Sequence, residues 1–304
     1  MDLELLIAFG AATVRVATPL ALAALGEAIS ERGGVLNLGI EGSMLAGALG
    51  AAIGAIAGGP WAGVALGMAA GMSAAMVLAL AAVVGRADQI ISGTAVTLGA
   101  IGLTGMIAQQ AFGTAGAGLA VPTLAPVGVP LLEQVPVLGP IVFRQSPLTY
   151  LTVALVPVVA WLLFRTRFGL ELRAAGEAPL GAAAAGVRVR MVRSLGVLAG
   201  GALAGIGGAS LVLAQVGTFT ERMTAGRGFI AIAIVVLGRW HPVGALLAAL
   251  LFGAATALQF LFQASGITVV PYQVLLALPY LLALAVLATA VGRARAPAAL
   301  ARNE

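Results

Sequence analysis

Residues 26 to 42 read GEAISERGGVLNLGIEG and lie between two long apolar stretches. Ionisable or polar side chains stand there beside five glycines, namely Glu27, Glu31, Arg32, Asn37 and Glu41. Charged groups next to membrane-length apolar segments are costly, so they usually face a protein interior or a water-filled path. A glycine-rich break in the backbone is tolerated at membrane depth only where protein or a cavity shields it. The pattern therefore predicts that the segment lines a path through the membrane, and a polar loop with one glutamate reaching the membrane surface is the alternative.

The composition predicts an integral membrane protein. Hydrophobic residues make up 61% of the 304 and charged residues 9%, whereas a soluble domain carries about 25% charged residues. Apolar runs of about 20 residues cross a bilayer as helices. We expect an all-α, polytopic membrane protein with about 8–10 transmembrane helices in a single transmembrane domain, residues 1–304. The predicted spans are Leu3–Leu25, Val35–Ala57, Trp61–Val84, Gln89–Phe112, Leu148–Phe164, Ser194–Val216, Phe229–Leu237 (short), Val243–Phe262 and Tyr272–Val291.

The residue inventory excludes several kinds of site. The chain has no cysteine and a single histidine, His241, so neither a thiolate cluster nor a histidine-based metal site is expected. All 16 basic residues are arginines. A phosphate-binding P-loop needs a lysine, so any ATPase of that kind that drives this chain must be a separate subunit, which would bind the ATP and Mg²⁺. No cofactor is expected in this chain. Asp2 and Glu4 stand at the start of the first span, where a cleavable signal peptide carries positive charge. The net charge of +5 reflects arginines beside the spans and not nucleic-acid binding.

Arginine placement predicts the topology, because loops rich in arginine stay on the cytoplasmic side. Segment 165–193 holds six arginines and is expected to be cytoplasmic, as is the tail that carries Arg293, Arg295 and Arg302. The opposite loop, 113–147, contains six prolines and is expected to be extracytoplasmic, broken into extended or short helical pieces. Because this loop is apolar, it is expected to pack on the helix ends or to receive a partner.

A weak internal repeat is visible in two places. Glu41-Gly42 precedes an apolar run that ends at Pro60, and Arg227-Gly228 precedes an apolar run that ends at Pro242. In the topology above, the two copies run in opposite directions, and inverted repeats place a transport site at their interface. A chance match in a chain rich in glycine and alanine is the alternative. If the repeat is real, Arg227 and Glu41 approach one another or share a polar network.

Three polar clusters supply candidates for the translocation path. Asn37 and Glu41 share a face if their segment is helical, and a helix-packing hydrogen bond is the alternative. The predicted path residues of all three clusters are Asn37, Glu41, Gln89, Ser92, Gln215, Thr218 and Arg227. Helix packing is the favoured role for Thr94 and Thr97, and a gating or structural role for Glu27, Glu31 and Arg32. Uncharged hydrogen-bonding groups outnumber charges, which favours a neutral polar solute over an ion.

The centre of the arginine-rich loop reads RAAGEAPLGAAAAGVRV, residues 173 to 189. Proline is favoured in the first turn of a helix and glycine in the left-handed position after its end. Pro179 and Gly186 therefore predict a short helix between them, with alanines in its middle. A short helix flanked by arginines predicts a docking element.

Four strings of the chain resemble permease subunits of bacterial nucleoside ABC importers, within the sugar and branched-chain amino acid permease superfamily. They are GEAISERGGVLNLGIEG, DQIISGTAVTLGAIGLTG, RAAGEAPLGAAAAGVRV and TAGRGFIAIAIVVLGRWHPVGALLAALLFG. The resemblance implies that residues 173 to 186 form a coupling helix that seats in a cleft of the ATPase subunit. The coupling residues that it implies are Arg173, Gly176, Glu177, Pro179 and Gly186. The chain has Ala178-Pro179 where Asn-Pro is expected, and Gly181 is expected to interrupt the helix.

The resemblance also implies a multi-subunit machine in the bacterial inner membrane. Its other parts are an ABC ATPase, a second related permease and an extracytoplasmic solute-binding protein, and its substrate is a nucleoside moved by alternating access. A simple sugar or another small polar solute is the nearest alternative. An ion-coupled secondary transporter or channel is the alternative from a different class, and the arginine-rich docking loop disfavours it. A membrane enzyme is disfavoured because the chain lacks a His/Asp/Ser or metal constellation.

Overall fold

A computed structural model describes residues 3–113, 120–130, 132–264 and 296–301, together with residues 277, 281, 284, 285 and 288. The described chain contains eleven α-helices and one two-stranded ribbon. The helices are α1 Leu3–Arg32, α2 Ile40–Gly58, α3 Pro60–Leu78, α4 Gln89–Phe112, α5 Leu138–Val142, α6 Pro147–Arg165, α7 Arg167–Glu177, α8 Pro179–Ala184, α9 Val189–Leu211, α10 Arg227–Leu237 and α11 Pro242–Ala264. Wider π-helical turns continue α3 to Val84 and α9 to Val216. The ribbon pairs β1 Val127–Gly128 with β2 Arg144–Gln145.

Seven helices among the described residues are long and apolar enough to cross a membrane, namely α1, α2, α3, α4, α6, α9 and α11. This confirms the prediction of an all-α polytopic membrane protein. The predicted span Gln89–Phe112 coincides with α4. The predicted short span lies in α10, whose 11 residues rise only about 16 Å, about half the thickness of a bilayer core. The remaining predicted span, Tyr272–Val291, lies outside the described residues apart from single positions.

The chain between α1 and α2 is not helical, so α2 begins five residues later than the predicted span at Val35. Gly34 has a φ of +84°, a left-handed conformation that ends α1 and is easy only for glycine. The chain then runs back beside α1, where the Asn37 amide donates to the Glu27 carboxylate at 2.9 Å. Asn37 therefore precedes α2, while Glu41 lies in its first turn. The prediction that Asn37 and Glu41 share a face of one helix is wrong, because the glycines break the helix between Arg32 and Ile40.

Helices α2 and α10 begin side by side, since the first turn of α2 binds the first amides of α10. From the point where the two helices begin, α2 runs to the turn before Pro60. In the other direction, α10 leads to Trp240, whose carbonyl accepts from Arg32 at the end of α1 at 3.1 Å. The two helices thus run in opposite directions, as the repeat predicts, although the repeat of the whole sequence stays a prediction.

The segment 217–226, which is folded into turns over residues 221–226, and α10 cross the bundle together. Glu221 contacts Gln109 near the end of α4, at the opposite end of the bundle from Arg32. Helix α11 therefore starts beside Arg32, at the end of the bundle that also carries α7 and α8. We call this the coupling end. Because segment 217–226 and α10 together cross the bundle, α11 runs in the direction expected if α10 were a full span. Tail residue Ala299 lies at the coupling end, where its amide donates to the Gly176 carbonyl.

Helix α9 is the central helix, and it packs against α2 and α3 through glycine. A side chain at Gly47 of α2 would lie 2.5 Å from the Cα of Gly205 in α9. Small residues let membrane helices approach so closely that backbone packs on backbone. Substitution at Gly47 therefore has to push α2 and α9 apart.

The described part of loop 113–147 packs on the helix ends, which is one of the two arrangements that the sequence predicts. The amides of Val121 and Leu124 donate to the carbonyls of Gly217 and Leu213, at 2.9 and 2.8 Å. Both side chains are buried in an apolar cluster with α2 and α9. The prolines leave only the ribbon, a single 3₁₀ turn and the short helix α5 in the described part of the loop.

Candidate functional site

Glu41 is the centre of a buried polar junction where α2 and α10 begin. Its Oε1 atom accepts from the Thr224 hydroxyl at 2.6 Å and from the Gly226 amide at 2.8 Å. Its Oε2 atom accepts from the Gly228 amide at 2.6 Å. The first amides of a helix have no partner within the helix and favour an anion. The Glu41 carboxylate therefore caps α10 from outside and fixes where that helix starts.

Two glycines make this approach possible. A side chain at Gly228 would lie 2.6 Å from both the Cα and the amide nitrogen of Glu41. Gly226 precedes the first residue of α10 with a φ of +82°, a conformation that L side chains rarely adopt. Because of these glycines, the backbones of α2 and α10 meet without an intervening side chain.

Arg227 joins the same network from the other side. Its Nη1 atom donates to the carbonyls of Met223 and Thr224, at 2.9 and 3.2 Å. Thr224 thus connects the two charged residues, since its hydroxyl binds Glu41 and its carbonyl accepts from Arg227. The prediction that Arg227 and Glu41 share a polar network is confirmed. That they line a translocation path stays a prediction.

Thr224 is a residue that the sequence reasoning missed. It is 1% exposed and lies two residues before the glycine that opens α10. The available signal was a hydroxyl residue just ahead of a glycine-rich helix start, although its hydroxyl binds Glu41 and not the helix amides.

A second buried polar cluster joins the end of α1 to Trp240, which lies three residues after the end of α10. Glu27 accepts from the Asn37 amide at 2.9 Å, and Glu31 accepts from the indole nitrogen of Trp240. Both glutamates are at most 1% exposed. Arg32 donates to the Trp240 carbonyl at 3.1 Å. These contacts agree with the structural or gating role predicted for the three charged residues, and that role stays a prediction.

Side chains of α4 hold the segment before α2 in place. Gln89 accepts from the Leu36 amide at 2.8 Å, and Thr97 donates to the Leu38 carbonyl at 2.9 Å. The Thr97 contact is the helix packing that the sequence predicts. Neither polar atom of the fully buried Asn37 side chain has a hydrogen-bond partner among the described residues. Gln89 therefore contacts the short segment between α1 and α2 that contains Asn37, whereas Glu41 lies in the first turn of α2.

Ser92 faces an apolar groove rather than the polar junction. The groove lies between α2, α3 and α4, has a volume of about 760 Å³ and carries no ionisable group. Two of its hydroxyls, on Ser73 and Thr104, donate to carbonyls of their own helices at 2.8 and 2.6 Å. The groove therefore offers little to a polar solute, and the structure does not bring Ser92 together with Glu41.

Gln215 and Thr218 lie at the far end of α9 and not at the junction. The Gln215 amide is exposed and donates to the Arg15 carbonyl of α1 at 2.8 Å. The Thr218 hydroxyl is buried and has no hydrogen-bond partner among the described residues. Gly217 between them accepts from the loop amide of Val121. Of the seven predicted path residues, the junction itself holds only Glu41 and Arg227.

Helix α8 at the coupling end has the predicted shape. Pro179 is its first residue, and Gly186 follows its end with a φ of +86°. The amides of Gly186 and Val187 donate to Ala183 and Ala182 at 2.9 and 3.0 Å, which is a Schellman motif. The helix runs through Gly181 without a break, so the expectation that Gly181 interrupts it is wrong. A single helical glycine costs about 1 kcal/mol, which the first-turn proline and the Schellman motif help to offset.

Of the remaining predicted coupling residues, two face the protein and one faces solvent. Arg173 lies over the Phe164 ring at 5.3 Å. Gly176 is buried against the carbonyl of Arg32, leaving no room for a side chain. Glu177, by contrast, is exposed. Arg173 and Gly176 thus hold α7 in place, whereas Glu177 lies on the accessible surface.

The sequence reasoning also missed Leu180 of α8, which is 75% exposed. It stands next to Pro179 in a loop otherwise rich in arginine and alanine. An exposed apolar side chain on a short capped helix is typical of an interaction surface. The signal available from the sequence was the single leucine in the string of residues 173 to 189.

Comparison with known proteins places the chain among transport permeases. A family described as the branched-chain amino acid transport system, permease component, matches residues 10–292. The nucleoside ABC transporter permease protein NupC of Lactococcus lactis is 38% identical, over 93% of this chain and 92% of its own length. The guanosine ABC transporter permease protein NupQ of Bacillus subtilis is 37% identical, over 95% and 93%. The putative glucose ABC transporter permease protein TsgC13 of Haloferax volcanii is 39% identical, over 93% and 91%. No solved structure matches the chain.

These relatives cover nearly the whole chain, and the family match includes the polar junction, the groove, α7 and α8. They are ABC permeases, which are transport components whose ATPase is a separate subunit. The apolar helices and the relatives together make the chain a multi-pass protein of the inner membrane. The chain belongs to the family of permease components typified by the branched-chain amino acid transport system.

Proposed function

We propose that this chain is the permease subunit of an ABC importer that moves nucleosides across the inner membrane by alternating access. The observation that carries the proposal is the identity of 37–38% over nearly the whole chain to two permeases named for nucleosides and guanosine. The polar junction supports it, because the two helices whose starts meet there run in opposite directions, as in transporters with inverted repeats.

The second candidate is an ABC permease for a simple sugar. The putative glucose permease is 39% identical to this chain, so identity does not separate the two substrates. Both are neutral polar solutes, so the predicted preference for a neutral polar solute does not separate them either. Labelled guanosine and labelled glucose, supplied to cells that lack their own importers for both, distinguish the candidates. We expect guanosine uptake only when the permease is produced together with its ATPase, its partner permease and its solute-binding protein, and glucose uptake alone would assign the sugar.

An ion-coupled transporter is disfavoured by the chemistry of Glu41. Proton relays in transporters use carboxylate or histidine side chains that take up and release a proton. The two oxygens of Glu41 already accept three hydrogen bonds, two of them from backbone amides. Glu41 therefore has the surroundings of a fixed structural anion, and family membership supports drive by ATP.

The coupling end is proposed to face the cytoplasm and to dock the ATPase through α7 and α8. Six arginines in segment 165–193 favour the cytoplasmic side. Leu180 stands out from α8 as the apolar group that a cleft on the ATPase would bury. A solute-binding protein would then approach the loop 113–147 at the other end, and a second related permease would complete the path.

Replacing Leu180 with aspartate tests the docking surface. Burying a leucine contributes about 1.5–3 kcal/mol, so its loss weakens docking by roughly 10- to 100-fold. We expect substrate-stimulated ATP hydrolysis and uptake to fall accordingly at unchanged membrane abundance. Leu138→Asp is the matched control for binding of the ATPase, because Leu138 is 54% exposed on α5 at the opposite end. Equal amounts of ATPase co-purifying with the two variants would remove Leu180 from the interface.

A further inference from the structure

The C-terminal tail folds back onto the hinge between α7 and α8. Its residues form a turn in which the Leu300 amide donates to the Pro297 carbonyl at 3.0 Å. The Ala299 amide donates to the Gly176 carbonyl at 2.9 Å, and the Ala298 amide donates to the Glu177 carboxylate at 3.3 Å. Ala299 is 3% exposed. The tail turn, residues 297 to 300, is therefore part of the folded core at the coupling end.

The same turn contacts the end of α1. The Ala299 carbonyl lies 3.3 Å from the position that a side chain on Gly34 would take, and the Gly176 Cα is equally close to that position. Leu300 packs against the apolar cluster that contains Ala28 of α1 and Trp240. The tail turn thus touches the end of α1 and the end of α7 at once.

Arg193 of α9 bridges the same two helix ends. It is 5% exposed, and it donates to the Gly33 carbonyl at 2.9 Å and to the Ala175 carbonyl at 3.0 Å. The last carbonyls of a helix have no partner within the helix and favour a cation. Arg193 and the tail turn therefore divide the free carbonyls of α7 between them, since Arg193 takes Ala175 and the tail takes Gly176.

The position of this junction matters because α8 follows α7 after one residue. A force applied to α8 reaches α7 directly, and the tail turn and Arg193 connect α7 to the end of α1. From there Glu31 and Arg32 hold Trp240, which follows α10. Helix α10 in turn starts at the Glu41 junction. A continuous set of contacts thus links the docking surface to the polar junction, and the tail turn supplies the contact between α7 and the end of α1.

We propose that the tail turn is a clasp that joins α7 and the end of α1 into one rigid unit, so that movement of α8 is transmitted to α10. The proposal rests on the proposed docking of the ATPase at α8. The clasp stays closed throughout transport, and its buried residue Ala299 is the positioning residue. When the clasp is opened, ATP is still hydrolysed, but less substrate is taken up for each ATP.

Ala299→Gln tests the clasp, because a glutamine side chain does not fit at this buried position. Ala296→Gln is the matched control, since Ala296 is exposed just before the turn. In the complete complex, we expect Ala299→Gln to lower the ratio of substrate taken up to ATP hydrolysed by roughly 2- to 30-fold, the usual range for positions that couple two sites. Ala296→Gln is expected to keep the wild-type ratio. An unchanged ratio in Ala299→Gln would overturn the proposal.

Cross-linking tests the contact independently of any substrate. The chain has no cysteine, so Glu177→Cys with Ala298→Cys introduces the only thiols. We expect this pair to be joined by oxidation in native membranes, whereas Glu177→Cys with Leu138→Cys at the opposite end stays unjoined. Lack of cross-linking in the first pair would overturn the clasp. If the first pair is cross-linked but the wild-type complex takes up no nucleoside, the clasp is supported and the proposed substrate is rejected.

Discussion

Replacing Glu41 with glutamine isolates the role of the junction anion, because glutamine has the same shape without the charge. Oε1 of Glu41 faces the Thr224 hydroxyl and the Gly226 amide, while Oε2 faces the Gly228 amide. A glutamine offers one carbonyl oxygen and one NH₂ group. Whichever way the amide is placed, its NH₂ group faces a backbone N–H at the start of α10. One buried donor is therefore left without an acceptor.

The magnitude follows from these three contacts. A hydrogen bond to a charged group contributes about 1.5–3 kcal/mol, and a buried donor without a partner costs about 1–3 kcal/mol. The favourable interaction of an anion with a helix N-terminus, about 0.3–1 kcal/mol, is lost as well. Some of this loss overlaps, so Glu41→Gln is expected to destabilise the permease by about 2–4 kcal/mol. Such a loss lowers the melting temperature on the order of 5–10 °C for a domain of this size.

A double-mutant cycle separates the contact from general damage. Thr224→Val removes the hydroxyl that binds Glu41 and keeps the side-chain volume. We expect it to cost about 1.5 kcal/mol in the wild type and about 1 kcal/mol less when Glu41 is already glutamine, since contacting residues are not additive. Thermal unfolding of the purified complex and uptake by the same cells are the two measurements. Wild-type melting and uptake in Glu41→Gln would refute the reasoning.

Exchanging the two charges tests how Glu41 and Arg227 are connected. The network runs through backbone amides of α10 and through Thr224, so Glu41→Arg with Arg227→Glu places a cation at the positive end of a helix. We expect the double variant to transport no better than either single variant. Recovery of uptake in the double variant would show a direct ion pair instead.

Two glycine comparisons test the packing. After α8, Gly186→Ala forces an alanine into a φ of +86° and is expected to speed the hydrogen exchange of α8. Within α8, a side chain at Gly181 has its nearest neighbour at 3.7 Å, so Gly181→Ala is expected to stabilise the helix by about 1 kcal/mol and to slow its hydrogen exchange. At the α2–α9 contact, Gly47→Ala is expected to lower the melting temperature, whereas Gly102→Ala has open space around it and is expected to leave it unchanged or raise it. The same sign within either pair would contradict the packing described above.

Sequence periodicity and apolar run length were sufficient to predict the long helices. The bounds of α4 match because Asp88 caps its first amides and Gly113 follows its end, and both signals are local. The start of α2 was misplaced because the apolar residues Val35, Leu36 and Leu38 resemble the beginning of a span. Their backbone is instead held by Glu27 and Gln89, and such long-range partners leave no periodic signal.

The candidate site was predicted in part for the same reason. Glu41 and Arg227 stand out as charges beside apolar runs, so their cost in a membrane identified them. Thr224 and Leu180 carry no such cost, and their importance follows only from which elements meet around them or leave them exposed. The tail turn was predicted to lie on the coupling side, but its contact with Gly176 depends on backbone atoms that any residue supplies.

The most direct test of the central claim uses the purified permease with its ATPase, its partner permease and its solute-binding protein in liposomes. The measurement is ATP-dependent uptake of labelled guanosine, with an excess of unlabelled nucleoside or of unlabelled glucose as competitor. The proposed function predicts uptake that requires ATP, is suppressed by nucleoside and is unaffected by glucose. Uptake without ATP would contradict the ABC mechanism, and suppression by glucose would contradict the nucleoside assignment.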